Sequence, residues 1–310
     1  MIDTRESVTA KVCSFIRAYH SNYRRDKIFD DYLAYDMMGK DEYEELKQML
    51  EHEFCIHGLG PMEDTIERYL YSLLDRYVAP IPLSRIAYAE HELKHFSRKH
   101  GKCQYVICGA GMDTFAFRNE NPDIQIFELD HPDTQRYKLE KIKQLEWIIP
   151  DNVNYVAVDF SCDDLISILV NAGFDQNVPA FFSILGVTYY LALPVFEQTI
   201  MKISALSGKG NRMVFDYPDD TTFQPDAPMR VRLLTEITAK FGEPMERGFS
   251  FIDIKEALER HGFNIEAHMN PERIQSAFFD KRADGQRAFE NVHFITAVKI
   301  SDDVYQSAGM

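Results

Sequence analysis

Features that mark several protein classes are scarce or missing in this sequence. Its five cysteines, Cys13, Cys55, Cys103, Cys108 and Cys162, are odd in number and include no pair at C-x-x-C spacing. This pattern argues against a disulfide framework and a zinc site, and it fits a reducing compartment. We therefore expect small buried thiols and no bound metal.

Long apolar runs are also missing. The N-terminal stretch MIDTRESVTAKV is polar and charged, unlike a signal peptide. No apolar run approaches the ~18 residues that a membrane span requires. These observations predict a cytoplasmic protein that has no membrane partner.

Basic residues are outnumbered. The chain of 310 residues has 34 Lys and Arg against 49 Asp and Glu, which gives a formal net charge of -15. Nucleic-acid binders usually carry the opposite sign, at least locally, and no long basic cluster with interleaved aromatics is present. We expect no nucleic-acid partner, and nothing in the sequence indicates an oligomeric state.

What the sequence does contain is an alternation of helical and strand patterns. The first segment carries an apolar stripe at helical spacing, and apolar residues at 84–99 share one face of a second helix. Seven short β-rich runs follow, and helical patterns separate several of them. These runs lie at 104–108, 124–129, 153–158, 180–185, 212–217, 263–268 and 292–300.

This order of elements predicts an α/β fold. Alternating strands and helices imply a Rossmann-like, doubly wound and mostly parallel sheet. The last two strands, which follow a helix, predict a reversed C-terminal edge hairpin. We expect residues 1–100 to form a helical N-terminal extension, or lid, within the same domain as a core at 101–310.

The stretch QYVICGAGMDTFAFR, at 104–118, predicts a ligand-binding turn after the first strand. Gly109 and Gly111 lack a Cβ, so a ligand can approach the backbone there. A helix after the turn would direct its N-terminal N–H groups at that ligand. A dinucleotide fingerprint requires a third glycine at the position of Thr114. Thr114 therefore disfavours a nicotinamide oxidoreductase.

Acidic residues end the next two predicted strands. Asp130 follows Gly111 at the separation of about 20 residues that is typical of a ribose-binding acid, and Glu128 points the same way deeper in the sheet. Asp159 is suited to accept from an adenine amino group while Phe160 packs against the ring. Glycine, acid and acid at successive strand ends predict an adenosine pocket.

These motifs resemble class I S-adenosylmethionine-dependent methyltransferases of the leucine carboxyl methyltransferase type, which include bacterial polyketide O-methyltransferases. The core of the resemblance is the turn QYVICGAGMDTFAFR followed by FELDHPDTQRYKLEKI. The segments ESVTAKVCSFIRAYH and FFSILGVTYYL extend it, so the resemblance spans nearly the whole chain. It implies S-adenosylmethionine as cofactor and a carboxylate or hydroxyl of a small molecule as methyl acceptor.

The resemblance also implies which residues bind the cofactor. The turn at 109–111 would line the methionine half, and Leu185 and Gly186 would flank the sulfonium. Arg85 would pair with the cofactor carboxylate, because a guanidinium binds a carboxylate bidentately. The full implied set is Arg85, Gly109, Ala110, Gly111, Asp130, Asp159, Phe160, Leu185 and Gly186.

Residues for the acceptor are harder to choose. Methyl transfer from a sulfonium is an in-line displacement, so the protein mainly aligns the reacting groups. A carboxylate needs no base at pH 7, whereas a phenol would benefit from one. Tyr189 and Tyr190 are the catalytic candidates. The substrate-binding candidates are Arg17, Tyr19 and Arg282. The candidate bases are His20 and His131, although His131 precedes Pro132 and is expected to shape that turn instead.

Two alternatives stay open. A protein C-terminal carboxyl methyltransferase would need a cleft that admits a peptide end. A module that binds the cofactor without turnover is the other alternative, because Leu185 replaces a glutamate found in many relatives. Phe115 replaces an arginine found in some relatives. Both differences lie near the reacting end and bear on the acceptor more than on the cofactor.

Overall fold

The centre of the molecule is a seven-stranded sheet with the order β3-β2-β1-β4-β5-β7-β6. This computed structural model describes residues 7–57, 65–160 and 162–300, except for the side chains of 55–57. The strands are β1 (Cys103–Cys108), β2 (Ile124–Asp130), β3 (Val153–Ala157), β4 (Ala180–Ile184), β5 (Arg212–Pro218), β6 (Phe263–Met269) and β7 (Val292–Lys299).

Helices precede the sheet and connect its strands. The helices before β1 are α1 (Val8–Tyr23), α2 (Ala34–Met38), α3 (Lys40–His57), α4 (Ile66–Tyr77) and α5 (Pro80–His100). Those after β1 are α6 (Phe115–Arg118), α7 (Pro132–Gln144), α8 (Leu165–Asn171), α9 (Leu193–Leu206), α10 (Met229–Lys240), α11 (Phe251–Arg260) and α12 (Pro271–Phe278). Helix α9 begins next to Pro194, and the hydroxyl of Ser250 caps α11, as their sequences predict.

The predicted fold class is confirmed. Strands β1 to β5 pair in parallel, and β7 runs antiparallel to both β5 and β6. The structure adds that the reversed strand lies second from the edge, between β5 and β6. The last two strands pair antiparallel at the edge of the sheet as expected, and residues 270–291, which contain α12, join them.

Both faces of the sheet are covered by apolar side chains. Along β4, Phe182 packs in the cluster that contains Phe196 of α9 and Leu258 of α11. The neighbouring Phe181 points the other way, into the cluster that contains Phe96 of α5. Because successive strand side chains face opposite sides, strands covered on both sides read as continuous apolar runs.

The helices before β1 form a core of their own. Phe15, Ile16 and Tyr19 are buried along the predicted stripe of α1 and pack with residues of α3, α4 and α5. Leu233 and Ile237 of α10 join the same cluster, which ties these helices to the rest of the chain. The division at residue 100 and the lid role stay predictions.

Two further expectations concern membranes and thiols. In the described part of the chain, the helices lack the length and apolar character needed to cross a membrane. Cys103 and Cys108 are buried as expected, but Cys13 is half-buried and Cys162 is exposed. The side chain of Cys55 lies outside the described residues.

Candidate active site

The ends of three strands meet around one cavity. Cys108 of β1 is in register with Leu129 of β2 and with Ile184 of β4, so the residues that follow them lie side by side. The cavity has a volume of about 300 Å³, and we call it the strand-end cavity. The predicted cofactor residues that line it are Arg85, Gly109, Ala110, Gly111, Asp130, Leu185 and Gly186.

The turn after β1 needs its glycines. Gly109 has a φ of +76°, and a Cβ on it would lie 2.7 Å from Cγ2 of Val187. Gly111 has a φ of +51°, and its Cβ would lie 3.2 Å from the Cβ of Ala10 in α1. Glycine tolerates this conformation without strain, and its missing side chain leaves the backbone open to the cavity.

The segment after this turn differs from the expected helix. Helix α6 has only four residues, so an N-terminal helix site for a ligand is not supported. Thr114, at the position of the missing third glycine, is buried and donates its hydroxyl to Asp31 at 2.5 Å. The side chain therefore connects the turn to the N-terminal segment.

Asp130 lies at the end of β2 and faces the strand-end cavity. Its carboxylate accepts from the backbone N–H groups of Gly111 and His131. Burial raises its pKa above the usual range for a carboxyl group. Glu128, deeper on the same strand, pairs with the buried Lys138, and burial raises its pKa to about 7.

The two adenine candidates lie at the next strand end. Asp159 and Phe160 follow β3, whose last residue, Ala157, is in register with Asp130. Both side chains are half-buried, and neither belongs to the described lining of the strand-end cavity. Their contact with an adenine stays a prediction.

Arg85 projects from α5 into the site and meets a buried acid. Its Nη1 lies 3.2 Å from Oδ2 of Asp216, a β5 residue that is fully buried. Gly186 makes room for this guanidinium, because a Cβ on Gly186 would lie 2.4 Å from Nη2 of Arg85. The φ of Gly186 is +71°, so glycine is favoured there on two grounds.

The two tyrosines after β4 keep their protons at neutral pH. The hydroxyl of Tyr189 donates to Asp216 at 2.8 Å, and burial together with that carboxylate raises the pKa of Tyr189 well above its usual value. Tyr190 shares a hydrogen bond of 3.3 Å with Thr9, and burial raises its pKa to about 12. This geometry argues against either phenol as a general base.

A second cavity adjoins the first, and we call it the apolar pocket. Its volume is about 70 Å³, and most of the residues in its wall are apolar, with contributions from α1, α3, α5 and α10. The wall includes Leu50 and Phe54 of α3 and Leu234 of α10. The residues that line both cavities are Thr9, Cys13, Pro82, Arg85, Gly186 and Tyr190.

The predicted acceptor-binding residues are dispersed. Arg17 lines the strand-end cavity, but its Nε donates to Asp31 and its Nη2 to the carbonyl of Met112. Tyr19 is fully buried and donates to Asp75. Within the described part of the chain, Tyr19 lies outside both linings, and its contact with an acceptor stays a prediction.

The remaining candidates are also placed elsewhere. Arg282 pairs with Asp284 and Asp26 and lies outside the described walls of both cavities. His20 is fully buried, and its Nε2 accepts the N–H of Ile28. His131 is exposed and caps α7. All three side chains lie outside the described linings of the two cavities, and their proposed roles in contacting or deprotonating an acceptor stay predictions.

Three acids at the site were not predicted from the sequence. Asp31 joins Arg17 to Thr114, Asp216 holds Arg85, and the carboxylate of Glu243 accepts from Ser7 and from the first N–H groups of α1. Asp216 had a readable signal, because it is an acid near the end of the apolar strand RMVFDY, much as Asp130 ends FELD. Glu243 gave no comparable signal, since its partners lie at the other end of the chain.

Comparisons with known proteins identify the family of this chain. The leucine carboxyl methyltransferase family matches residues 10–204. YktD of Bacillus subtilis, whose name places it among the S-adenosyl-L-methionine-dependent methyltransferases, is 35% identical over 96% of this chain and 100% of its own length.

Solved structures support the fold. A protein of Thermobifida fusca that is described as a methyltransferase aligns with a TM-score of 0.59 at 12% identity, over 97% of both chains. A DUF574-family protein of Streptomyces avermitilis aligns with a TM-score of 0.57 at 12% identity, over 96% of this chain and 100% of its own.

The fold, the strand-end cavity and these relatives define an S-adenosylmethionine-dependent methyltransferase, so the predicted enzyme class and cofactor are confirmed. Within that class, the chain belongs to the leucine carboxyl methyltransferase family.

Proposed function

We propose that this enzyme methylates an oxygen of a small, largely apolar molecule held in the apolar pocket. The observation that carries the proposal is the ring of residues shared by the two cavities, which includes Cys13, Arg85 and Tyr190. Because the methyl group passes directly from sulfur to nucleophile, donor and acceptor must adjoin. The shared ring is where they would meet.

The strand-end cavity fits S-adenosylmethionine by its chemistry. The carboxylate of Asp130 suits the ribose hydroxyls, and the guanidinium of Arg85 suits a carboxylate. Gly109 and Gly111 keep this part of the wall narrow, because a Cβ on either would press against Val187 or Ala10, which also line the cavity. When bound, the cofactor supplies a methyl group already activated by a positively charged sulfur. The residues of the chain bind, orient and shield the reactants.

The acceptor oxygen is proposed to react in its ionised form without an enzyme base. Tyr189 and Tyr190 retain their protons at neutral pH, and the described linings of both cavities contain no histidine. A carboxylate meets this requirement at pH 7, and an acidic phenol meets it near its own pKa. The hydroxyls of Tyr189 and Tyr190 already donate to Asp216 and Thr9, so these residues would position the acceptor through the rings that line the apolar pocket.

Two experiments test the assignment. Calorimetry should show binding of S-adenosylhomocysteine and none of NAD. Incubation with S-adenosylmethionine and a metabolite extract, followed by mass spectrometry, should show a mass gain of one methyl group on a small carboxylate or phenol. A peptide with a C-terminal leucine tests the alternative acceptor, and its exclusive methylation would contradict the small-molecule proposal. Binding without methylation of any acceptor would favour a module without turnover.

The pH dependence provides a sharper test once an acceptor is known. For two acidic phenols of different pKa, we expect the acidic limb of kcat/KM to move with the pKa of the acceptor. That limb reports the ionisation of the reacting oxygen when no enzyme base takes part. A limb that stays at one pH for both phenols would indicate an enzyme base and contradict this mechanism.

A further inference from the structure

The carboxylate of Asp216 accepts hydrogen bonds from three donors in different parts of the site. Its Oδ1 accepts the N–H of Gly186 at 2.7 Å, and its Oδ2 accepts from Nη1 of Arg85 at 3.2 Å and from the hydroxyl of Tyr189 at 2.8 Å. Its side chain is fully buried in β5. A carboxylate removed from water requires such partners, and here all three belong to the wall of the apolar pocket.

The backbone at this position is fixed as well. The hydroxyl of Thr188 donates to the main-chain carbonyl of Asp216 at 2.6 Å. Residues 213–217 lie inside β5 between two neighbouring strands, β4 and β7. Asp216 is therefore a rigid point from which a flexible arginine side chain can be oriented.

Arg85 keeps donors for a ligand while it is paired. A guanidinium has five N–H donors, and Asp216 contacts Nη1. Nη2 has a weak contact, with Sγ of Cys13 at 3.5 Å. Because Arg85 lines the strand-end cavity, Nη2 and Nε remain for a second carboxylate. One guanidinium can thus bridge Asp216 and a ligand.

We propose that Asp216 is a positioning residue that holds Arg85 ready for the cofactor carboxylate and, through Gly186, fixes the turn beside the transferred methyl group. The inference rests on the proposed function, because it assumes that the strand-end cavity holds S-adenosylmethionine. Holding a long side chain in its binding geometry before the ligand arrives removes part of the ordering cost of binding.

The test compares two ligands that differ only in the cofactor carboxylate. Calorimetry gives the affinity of each variant for S-adenosylhomocysteine and for its decarboxylated analogue. The ratio of the two affinities measures recognition of the carboxylate. We expect Asp216→Asn to lower this ratio about tenfold, which is the upper range for loss of one pre-ordered side chain. If Asp216 had a purely structural role, its loss would lower the affinity for both ligands equally and leave the ratio unchanged.

The matched control is Asp75→Asn. Asp75 is also buried and accepts from three side chains, Tyr19, Arg24 and Gln286, but it lies outside both described linings. We expect this variant to lose stability while its affinity ratio stays that of the wild type. If Asp216→Asn fails to fold, Asp216→Ser replaces it, since serine is smaller and keeps a hydroxyl acceptor.

A double-variant cycle with Arg85→Lys tests the path of the effect. If Asp216 acts through Arg85, the double variant should show about the same affinity ratio as Arg85→Lys alone. An unchanged ratio in Asp216→Asn would overturn the proposal. A higher ratio would overturn it too, because Asp216 would then compete with the ligand for Arg85. Failure of the wild type to bind S-adenosylhomocysteine would instead refute the proposed function.

Discussion

At the scale of single residues, Gly186 is constrained by both its backbone and its neighbour. Its φ is +71°, and a Cβ would lie 2.4 to 2.7 Å from the guanidinium atoms of Arg85. Gly210 provides a comparison, because its φ is +90° while its added Cβ would meet nothing within 4 Å. The two positions share backbone strain but differ in crowding at the site.

We therefore expect Gly186→Ala to displace Arg85 and Gly210→Ala to leave it in place. Both substitutions should destabilise the fold by about 1–3 kcal/mol, the usual cost of a non-glycine residue at such φ. Only Gly186→Ala should also lower the affinity for S-adenosylhomocysteine, by about tenfold or more. Calorimetry and thermal unfolding measure the two effects. Equal affinities in the two variants would show that the crowding at Gly186 is relieved without moving Arg85.

A second prediction concerns Asp130. Asp130→Ala removes the carboxylate that the ribose requires, so we expect loss of measurable cofactor binding with the fold retained. The control is Asp151→Ala, an exposed acid in the turn before β3. Circular dichroism checks the fold, and calorimetry checks binding. Tight binding by Asp130→Ala would contradict the role assigned to this carboxylate.

The residues of the candidate site differ in how readily they can be predicted from the sequence. Gly109 and Asp130 belong to one short stretch at a known spacing, so the strand pattern alone brought them together. Asp216 lies inside a later strand, and its partner Arg85 lies 131 positions away along the chain. Such a pair depends on tertiary packing, which residue spacing does not encode. The same limitation explains why Arg282 was predicted at the site, although it pairs with Asp26 and Asp284.

At the scale of elements, α1 forms a wall of both cavities and is held at its first turn by one acid. The carboxylate of Glu243 accepts from the hydroxyl of Ser7 and from the N–H groups of Val8 and Thr9. The first N–H groups of a helix have no acceptor within the helix. Here the carboxylate of Glu243 is that acceptor, and its negative charge complements the helix dipole. Thr9 also bonds to Tyr190 across the cavity.

We expect Glu243→Ala to loosen the first turn of α1. Loss of a cap costs about 0.5–2 kcal/mol, which should raise hydrogen exchange at Val8 and Thr9 and speed dissociation of S-adenosylhomocysteine. The control is Glu246→Ala, a nearby exposed acid. Hydrogen exchange and stopped-flow dissociation provide the measurements. Unchanged exchange at both amides would contradict a holding role for Glu243.

The elements themselves were largely readable from the sequence, whereas their spatial order was less so. The seven β-rich runs became the seven strands, because buried strands give short apolar runs whose ends polar residues mark. The position of β7 between β5 and β6 was missed, since apolar pattern sets which faces are buried and leaves strand order open. The brevity of α6 was missed as well, because Thr114 and Arg118 bond to tertiary partners.

At the scale of the whole molecule, stability is expected to depend on pH through His20. Its ring is fully buried, and burial lowers its pKa from 6.5 to about 4, with Arg282 acting in the same direction. The neutral form therefore contributes stability that is present above pH 6.5 and lost as the pH falls through about 4. The contribution at stake is at most about 3 kcal/mol.

Denaturant unfolding at about pH 7.5, 5.5 and 4.5 measures the effect, because this range covers the titration of a histidine. We expect His20→Gln to be less stable than the wild type at neutral pH but to lose less stability on acidification. The control is His52→Gln, at an exposed position of α3. A pH dependence in His20→Gln equal to that of the wild type would show that other groups dominate acid unfolding.

The placement of β7 bears on how the molecule is synthesised. In the described sheet, β6 bonds to β7 alone, and β7 comes last along the chain. While a ribosome is still translating residues 292–299, the finished edge segment has nothing to pair with. A nascent chain arrested before this stretch should leave 263–269 open to protease, and emergence of 292–299 from the ribosome should close it. Pairing of this sheet edge thus waits until β7 has been synthesised.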